Sequence, residues 1–91
     1  MHAPVKIYST RFCPYCVRAK QLLDSKKVAY TDIDVDQSQA LRQEMMTLSG
    51  RRTVPQIWIG EQHVGGYDDL ALLERRGFLD RLLSGAVGGA E

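Results

Sequence analysis

The sequence predicts an α/β fold: a mixed four-stranded sheet, made of a βαβ unit followed by a ββ hairpin, with helices on its flanks. Three observations carry this prediction. Two β-rich stretches, residues 5–9 and 28–35, bracket a helical pattern, the order that makes a parallel pair with a right-handed crossover. Two further β-rich stretches flank Gly60-Glu61, and Gly first in a two-residue loop fits the type II′ turn of a hairpin. The 91 residues, 44% hydrophobic and 25% charged, suffice for one domain with its own core.

Taken in order, Val5 and Ile7 alternate with Lys6 and Tyr8, the period-2 pattern of a short strand. Thr10-Arg11-Phe12 is a loop. From Pro14, whose missing N–H suits the first helical turn, Ala19, Leu22 and Leu23 recur at helical spacing as far as Lys26. Residues 28–35 form the second strand. Asp36 with Gln39 fits a capping box, and Leu41, Met45 and Leu48 share one face of a second helix that stops at Gly50. Arg51-Arg52-Thr53 is a connector. Residues 54–59 and 62–64 are the hairpin strands, and Gly65-Gly66 ends them. Asp68 is the expected N-cap of a third helix carrying Leu70, Leu72 and Leu73 and ending near Gly77. Phe78, Leu79, Leu82 and Leu83 mark a final amphipathic helix. The domain is thus expected over residues 1–84, with the Gly-rich, aperiodic residues 85–91 as a flexible tail.

Both cysteines of the chain lie at the first strand-to-helix junction, as Cys13-Pro14-Tyr15-Cys16. In that setting Cys-x-x-Cys reads as a thioredoxin-like redox motif. A sulfur at a helix N-terminus faces unpaired backbone N–H groups and the positive end of the macrodipole, which favour the thiolate. Cys13 is therefore the expected nucleophile. Cys16, one turn further in, gains less from the dipole and is the expected resolving thiol. Blander uses of the pair carry less weight. A structural disulfide closing so short a loop would contribute only about 2 kcal/mol. A structural zinc site needs about four ligands, whereas there is no second Cys-x-x-Cys and His2 and His63 are not spaced as a ligand pair, so no metal is expected. Two inert buried cysteines would not explain the placement at this junction.

Twelve basic and eleven acidic residues leave a net charge of +1, so neither nucleic acid nor an anionic membrane is an expected partner. Charges interrupt every apolar stretch, and Met1-His2-Ala3-Pro4 leads straight into a strand, so neither a transmembrane helix nor a signal peptide is expected. With working thiols, a reducing cytoplasm is the expected location. A monomer is expected.

Cys13-Pro14-Tyr15-Cys16, Thr53-Val54-Pro55 and Gly65-Gly66-Tyr67-Asp68-Asp69, in this order and spacing, resemble the glutaredoxins, over residues 4 to about 83. The resemblance implies that family's form of the thioredoxin-like fold. Thioredoxins themselves usually carry Trp before the first Cys and Gly-Pro between the two, where Phe12 and Pro14-Tyr15 stand here. It further implies a cis Pro55 facing the thiols, with the Val54 backbone exposed beside Cys13 so that a glutathionyl group pairs with it like an added strand. Read from the residues alone, the commoner reading of Pro55 is a trans proline opening an edge strand, because cis is the rare isomer. Gly66 allows close backbone approach, and the helix N-terminus beyond it would take the γ-glutamyl carboxylate of glutathione, with Asp68 or Asp69 pairing the ammonium. Without the family, Asp68 is a plain N-cap. The resemblance matches Arg42 to a position that binds the glycine carboxylate of glutathione, though by itself it reads as a solvated helix charge, which is what most such arginines are. Tyr15 would pack against the tripeptide, and Tyr67 replaces a frequent family Cys.

One departure stands out. Many members have Lys three residues before the first Cys, where this chain has Thr10 beside Arg11; either Arg11 stands in or the helix alone supplies the electrostatic help. The resemblance implies a glutathione-dependent oxidoreductase that uses no tightly bound cofactor. It would reduce glutathionylated proteins and protein disulfides through Cys13 and Cys16. Two alternatives from the wider family are a redoxin reduced by a flavoprotein reductase, against which the Gly65–Asp69 motif and Arg42 argue, and a carrier of a glutathione-ligated [2Fe–2S] cluster, an activity better associated with Cys-Gly-Phe-Ser relatives.

Overall fold

The computed structural model describes residues 3–85. The chain runs β1 (Val5–Ser9), α1 (Pro14–Ser25), β2 (Thr31–Asp34), α2 (Gln39–Ser49), β3 (Gln56–Ile59), β4 (Gln62–Gly65), α3 (Tyr67–Arg75) and α4 (Leu79–Ser84). The strands form one sheet in the order β2-β1-β3-β4. β1 pairs parallel with β2, from Lys6↔Thr31 to Ser9↔Asp34. It pairs antiparallel with β3, Val5↔Ile59 to Tyr8↔Gln56, and β3 pairs antiparallel with β4. This is the predicted mixed sheet and thioredoxin-like architecture.

Strand alternation divides the core. On one face Val5, Ile7, Ile57 and Ile59 pack with Ala19 and Leu23 of α1, Leu70 of α3 and Leu79, Leu82 and Leu83 of α4. On the other, Tyr8 packs with Val35 and Met45, flanked by Leu41, Val54 and Trp58. Truncating a fully buried leucine of the larger cluster, such as Leu23, costs about 2–5 kcal/mol.

Several boundaries differ from the sequence reading, each for a local reason. β2 starts at Thr31, because Lys27 turns the chain at φ 60 and Val28 and Tyr30 pack against the core before pairing begins. The N-cap of α2 is Ser38, not Asp36: the Ser38 hydroxyl accepts from Leu41 N–H at 3.1 Å, whereas an Asp36 carboxylate oxygen accepts the Arg11 backbone N–H at 2.7 Å. The buried stripe of α2 runs through Met45 with Leu41 and Met46 beside it, which leaves Leu48 exposed. β3 starts at Gln56, after the Val54–Pro55 peptide, since Pro55 has no N–H to give a ladder. Gly60 has φ 61 and is followed by a residue without positive φ, as a type II′ turn requires. The N-cap of α3 is Gly66 rather than Asp68, and α4 closes on Gly85 at φ 80. The tail predicted over 85–91 lies, apart from Gly85, outside the described residues.

Candidate active site

The end of β1, the start of α1, the segment before β3 and the start of α3 converge on the cysteines. Cys13 is the N-cap of α1 with Pro14 at the first helical position. Its extended backbone, φ −119 and ψ 111, turns Sγ back over the helix start, where it accepts the Cys16 N–H at 3.2 Å. A sulfur in the cap position does the work usually given to Ser or Asp, and negative charge on it is met by a helix N-terminus. On its other side Cys13 Sγ donates to the Val54 carbonyl at 3.8 Å. Both thiols are free, Cys13 partly exposed and Cys16 buried. Burial, reinforced by the hydrogen bond with Cys13, pushes the Cys16 thiol up to about 12. Cys16 is therefore a thiol, not a thiolate, near neutral pH, and only Cys13 is placed to meet a substrate from solution.

Beside Cys13 runs an open groove of about 330 Å³. Thr53, Val54 and Pro55 line one side of it, and Gly66, Tyr67, Asp68 and Asp69 the other. Tyr15 also lines it, its ring 6.4 Å from that of Tyr67, with the Arg18 guanidinium 5.6 Å from its centroid. The Val54–Pro55 peptide is cis. Gly66 faces the Pro55 carbonyl across the groove: a Cβ there would sit 3.5 Å from that oxygen, an ordinary van der Waals contact.

Asp69 and Asp68 part company in this groove. A carboxylate oxygen of Asp69 accepts the Gly66 N–H at 3.0 Å and meets an Arg51 Nη at 3.2 Å. The Gly66 hydrogen bond, aided by the Arg51 cation, holds the Asp69 carboxyl below the usual carboxylate range despite its partial burial. Asp68 stands exposed on the rim and, among the described residues, forms no ion pair.

Ten of the twelve residues singled out from the sequence gather here: the two cysteines and Tyr15, Thr53, Val54, Pro55, Gly66, Tyr67, Asp68 and Asp69. Arg11 and Arg42 do not line the groove. Arg11 is exposed, its Nε 3.4 Å from Asp36 and its guanidinium 5.7 Å from the Phe12 ring centroid. Arg42 lies in the first turn of α2. Sequence reasoning missed Arg51, read as part of a connector although it is a cation two residues before Thr53. It also missed Gln56, the one polar residue inside the otherwise apolar stretch from Val54 to Ile59 and fully buried. Among the described residues, no three His, Cys, Asp or Glu side chains group as a metal-ligand set.

Residues 5–64 match the family model of the glutaredoxins. The chain belongs to the glutaredoxin family. It is similar to a glutaredoxin of Pseudomonas aeruginosa, 59% identical over 81 residues that span 89% of this chain and 96% of the relative. It is likewise similar to glutaredoxin 3 of Escherichia coli, 54% identical over 89% of this chain and 98% of that one. Among solved structures it resembles the buckwheat glutaredoxin–glutathione complex, with a TM-score of 0.84 and 33% identity over 92% of this chain and 79% of the buckwheat chain. Glutaredoxins are thiol–disulfide oxidoreductases that use glutathione as reductant, and Cys13 and Cys16 form the CxxC dithiol of this class.

Proposed function

We propose that this glutaredoxin is a glutathione-dependent dithiol oxidoreductase acting on protein–glutathione mixed disulfides and on protein disulfides. The observation that carries the proposal is the groove itself: it lies between the Thr53–Pro55 backbone, whose Val54 carbonyl Cys13 Sγ touches, and the N-terminus of α3, and its lining includes a cation and two carboxylates. Glutathione, the ligand in the buckwheat complex, offers a peptide backbone for the Val54 edge, a γ-glutamyl carboxylate for the free N–H groups opening α3, and an ammonium for Asp68. Arg51 supplies a cation on the same wall. The partner is thus glutathione first and a disulfide-bearing protein second, with the chain acting as a monomer in a reducing, cytoplasmic setting.

In the monothiol route the Cys13 thiolate attacks the glutathionyl sulfur, forming a Cys13–glutathione disulfide and releasing the protein thiolate, which takes up a proton. A second glutathione thiolate then attacks that disulfide, giving oxidised glutathione and free Cys13. For a protein disulfide, Cys13 attacks first. Cys16 then gives up its proton and displaces the protein thiol, leaving a Cys13–Cys16 disulfide for glutathione to reduce.

The test separates the two thiols. Cys13→Ser abolishes both activities, whereas Cys16→Ser retains deglutathionylation of a small mixed disulfide, followed with glutathione reductase, and loses most protein disulfide reduction. Equal loss of both activities in a folded Cys16→Ser protein would overturn the assignment of roles. Reduction by thioredoxin reductase and not by glutathione would overturn the glutathione dependence.

A further inference from the structure

Gln56 is a polar side chain with no exposed surface, set in β3 between the apolar Pro55 and Ile57. Its Nε2 donates to the Thr53 carbonyl at 3.0 Å and lies 3.2 Å from Thr53 Oγ1. Its Oε1 lies 2.7 Å from Nε2 of His63 on β4. The Thr53 carbonyl can only accept, so the amide nitrogen must face Thr53 and the amide oxygen must face His63. His63 is then the donor, through Nε2–H. Its ring is in turn held against Trp58, 4.6 Å between centroids, with Arg51 and Asp69 as the charged groups around it. Both polar atoms of the buried amide thus have a partner, and among buried side-chain polar atoms of the described residues none lacks one.

A buried amide with its partners on two different segments is costly to leave half-satisfied, so it specifies where those segments lie. One of them is the wall of the groove. Thr53 and Val54 have no strand partner of their own, since β3 begins only at Gln56, and Thr53 is exposed. The Gln56 side chain holds the Thr53 carbonyl, which fixes the orientation of the Thr53–Val54 peptide and so of the adjoining Val54 carbonyl, the group that Cys13 Sγ touches.

We propose that Gln56, braced by His63, is a positioning residue that sets the Thr53–Val54 edge and thereby determines affinity for the glutathionyl part of the substrate without touching it. This rests on the glutathione reading above. It assigns to β4, on the outer side of the sheet, a part in substrate selection at a site built from β1, α1 and α3.

Three variants separate the links. Gln56→Met keeps the volume and removes both bonds. Gln56→Glu keeps an acceptor for His63 but turns a carboxylate toward the Thr53 carbonyl. His63→Phe keeps a ring on Trp58 and removes only the brace. KM and kcat are measured with the mixed disulfide of glutathione and 2-mercaptoethanol, alongside alkylation of Cys13 by iodoacetamide and the urea midpoint. The expected result is a KM raised about three- to tenfold in Gln56→Met and Gln56→Glu, as for the loss of one net hydrogen bond, and by less in His63→Phe. The maximal rate and the alkylation rate stay within twofold of wild type. In Gln56→Glu, lowering the pH until the introduced carboxylate is protonated restores KM relative to wild type at the same pH, because the acid can again donate to Thr53. A merely structural role would lower the urea midpoint with no such pH-dependent recovery. Wild-type KM in folded Gln56→Met and Gln56→Glu would overturn the proposal, and if Gln56→Met does not fold, an unaltered KM in Gln56→Glu across the pH range does so alone. Failure of the wild-type protein to saturate with the glutathionyl substrate would instead overturn the glutathione reading.

Discussion

Asp68 and Asp69 are chemically identical and adjacent, yet their surroundings give them separable work. Asp69 is committed to the Gly66 N–H and Arg51, whereas Asp68 is an exposed carboxylate at the mouth of the groove. If Asp68 meets the ligand ammonium as proposed, Asp68→Asn is expected to raise KM for the glutathionyl substrate severalfold while lowering stability by no more than about 0.3–1 kcal/mol, the worth of an exposed first-turn carboxylate at the start of α3. Asp69→Asn is expected to lower stability by about 1 kcal/mol through the weakened helix start and to release Arg51 as well. Steady-state kinetics and urea titration of both single variants check the division; identical profiles would refute it. The sequence pointed to the pair but not to the split, because both residues fit a first-turn pattern and only the position of Gly66 decides which carboxylate turns back to cap it.

Among the elements, the junction between β4 and α3 bears the tightest constraint. Gly65 has φ 117, a conformation L side chains rarely adopt, and a Cβ there would run into the Asp69 carboxylate, 2.9 Å from its Cγ, and lie 3.1 Å from Arg51 Nη1. Gly65→Ala therefore combines backbone strain of about 1–3 kcal/mol with displacement of the cap and its ion pair. The expected outcome is a lowered thermal midpoint together with weakened glutathione use, measured by calorimetry and by KM; an alanine variant that keeps both at wild-type level would show that the junction relaxes freely. Elements of this kind were legible where local chemistry speaks for itself: Pro14 at the start of α1, Gly50 at the end of α2, the Gly60-Glu61 turn. The errors came where two residues compete for one role. Asp36 and Ser38 both suit an N-cap, and Arg11 on another segment claims Asp36. Leu48 matches the helical period of Met45, but which part of an apolar stripe is covered depends on the sheet beneath it. Gln56 and Arg51 stayed hidden because their partners, His63 and Asp69, lie 7 and 18 residues away in the chain.

At the scale of the whole molecule, acid should destabilise the fold in two stages. His63 is held below its ordinary 6.5 by burial and by Arg51, against the opposing pull of Asp69. The folded state thus resists its protonation: the contribution of His63 to stability is present above about pH 6.5 and is lost as the pH falls through its lower folded value. Asp69, held below 3.8 mainly by the Gly66 N–H, contributes above that pH and is lost only as the pH falls through its still lower folded value. Urea midpoints at pH 7, 5 and 3 are expected to decline across both intervals, with His63→Phe flattening the first and Asp69→Asn the second. A His63→Phe protein that loses as much as wild type between pH 7 and 5 would assign the first stage elsewhere.

The outermost strand of the sheet has a further consequence. Among the described residues, β2 leaves one flank of its backbone without a neighbouring strand, and its four residues, Thr31-Asp32-Ile33-Asp34, include two carboxylates. A second molecule adding itself there, β2 against β2, would bring further carboxylates close to these two and would have to disturb Asp32, which already holds Lys20 Nζ and the Ser9 hydroxyl at 2.6 Å each. The two carboxylates thus disfavour the flank as a template for an amyloid-like stack, Asp34 by its charge and Asp32 by the partners that pairing would disturb.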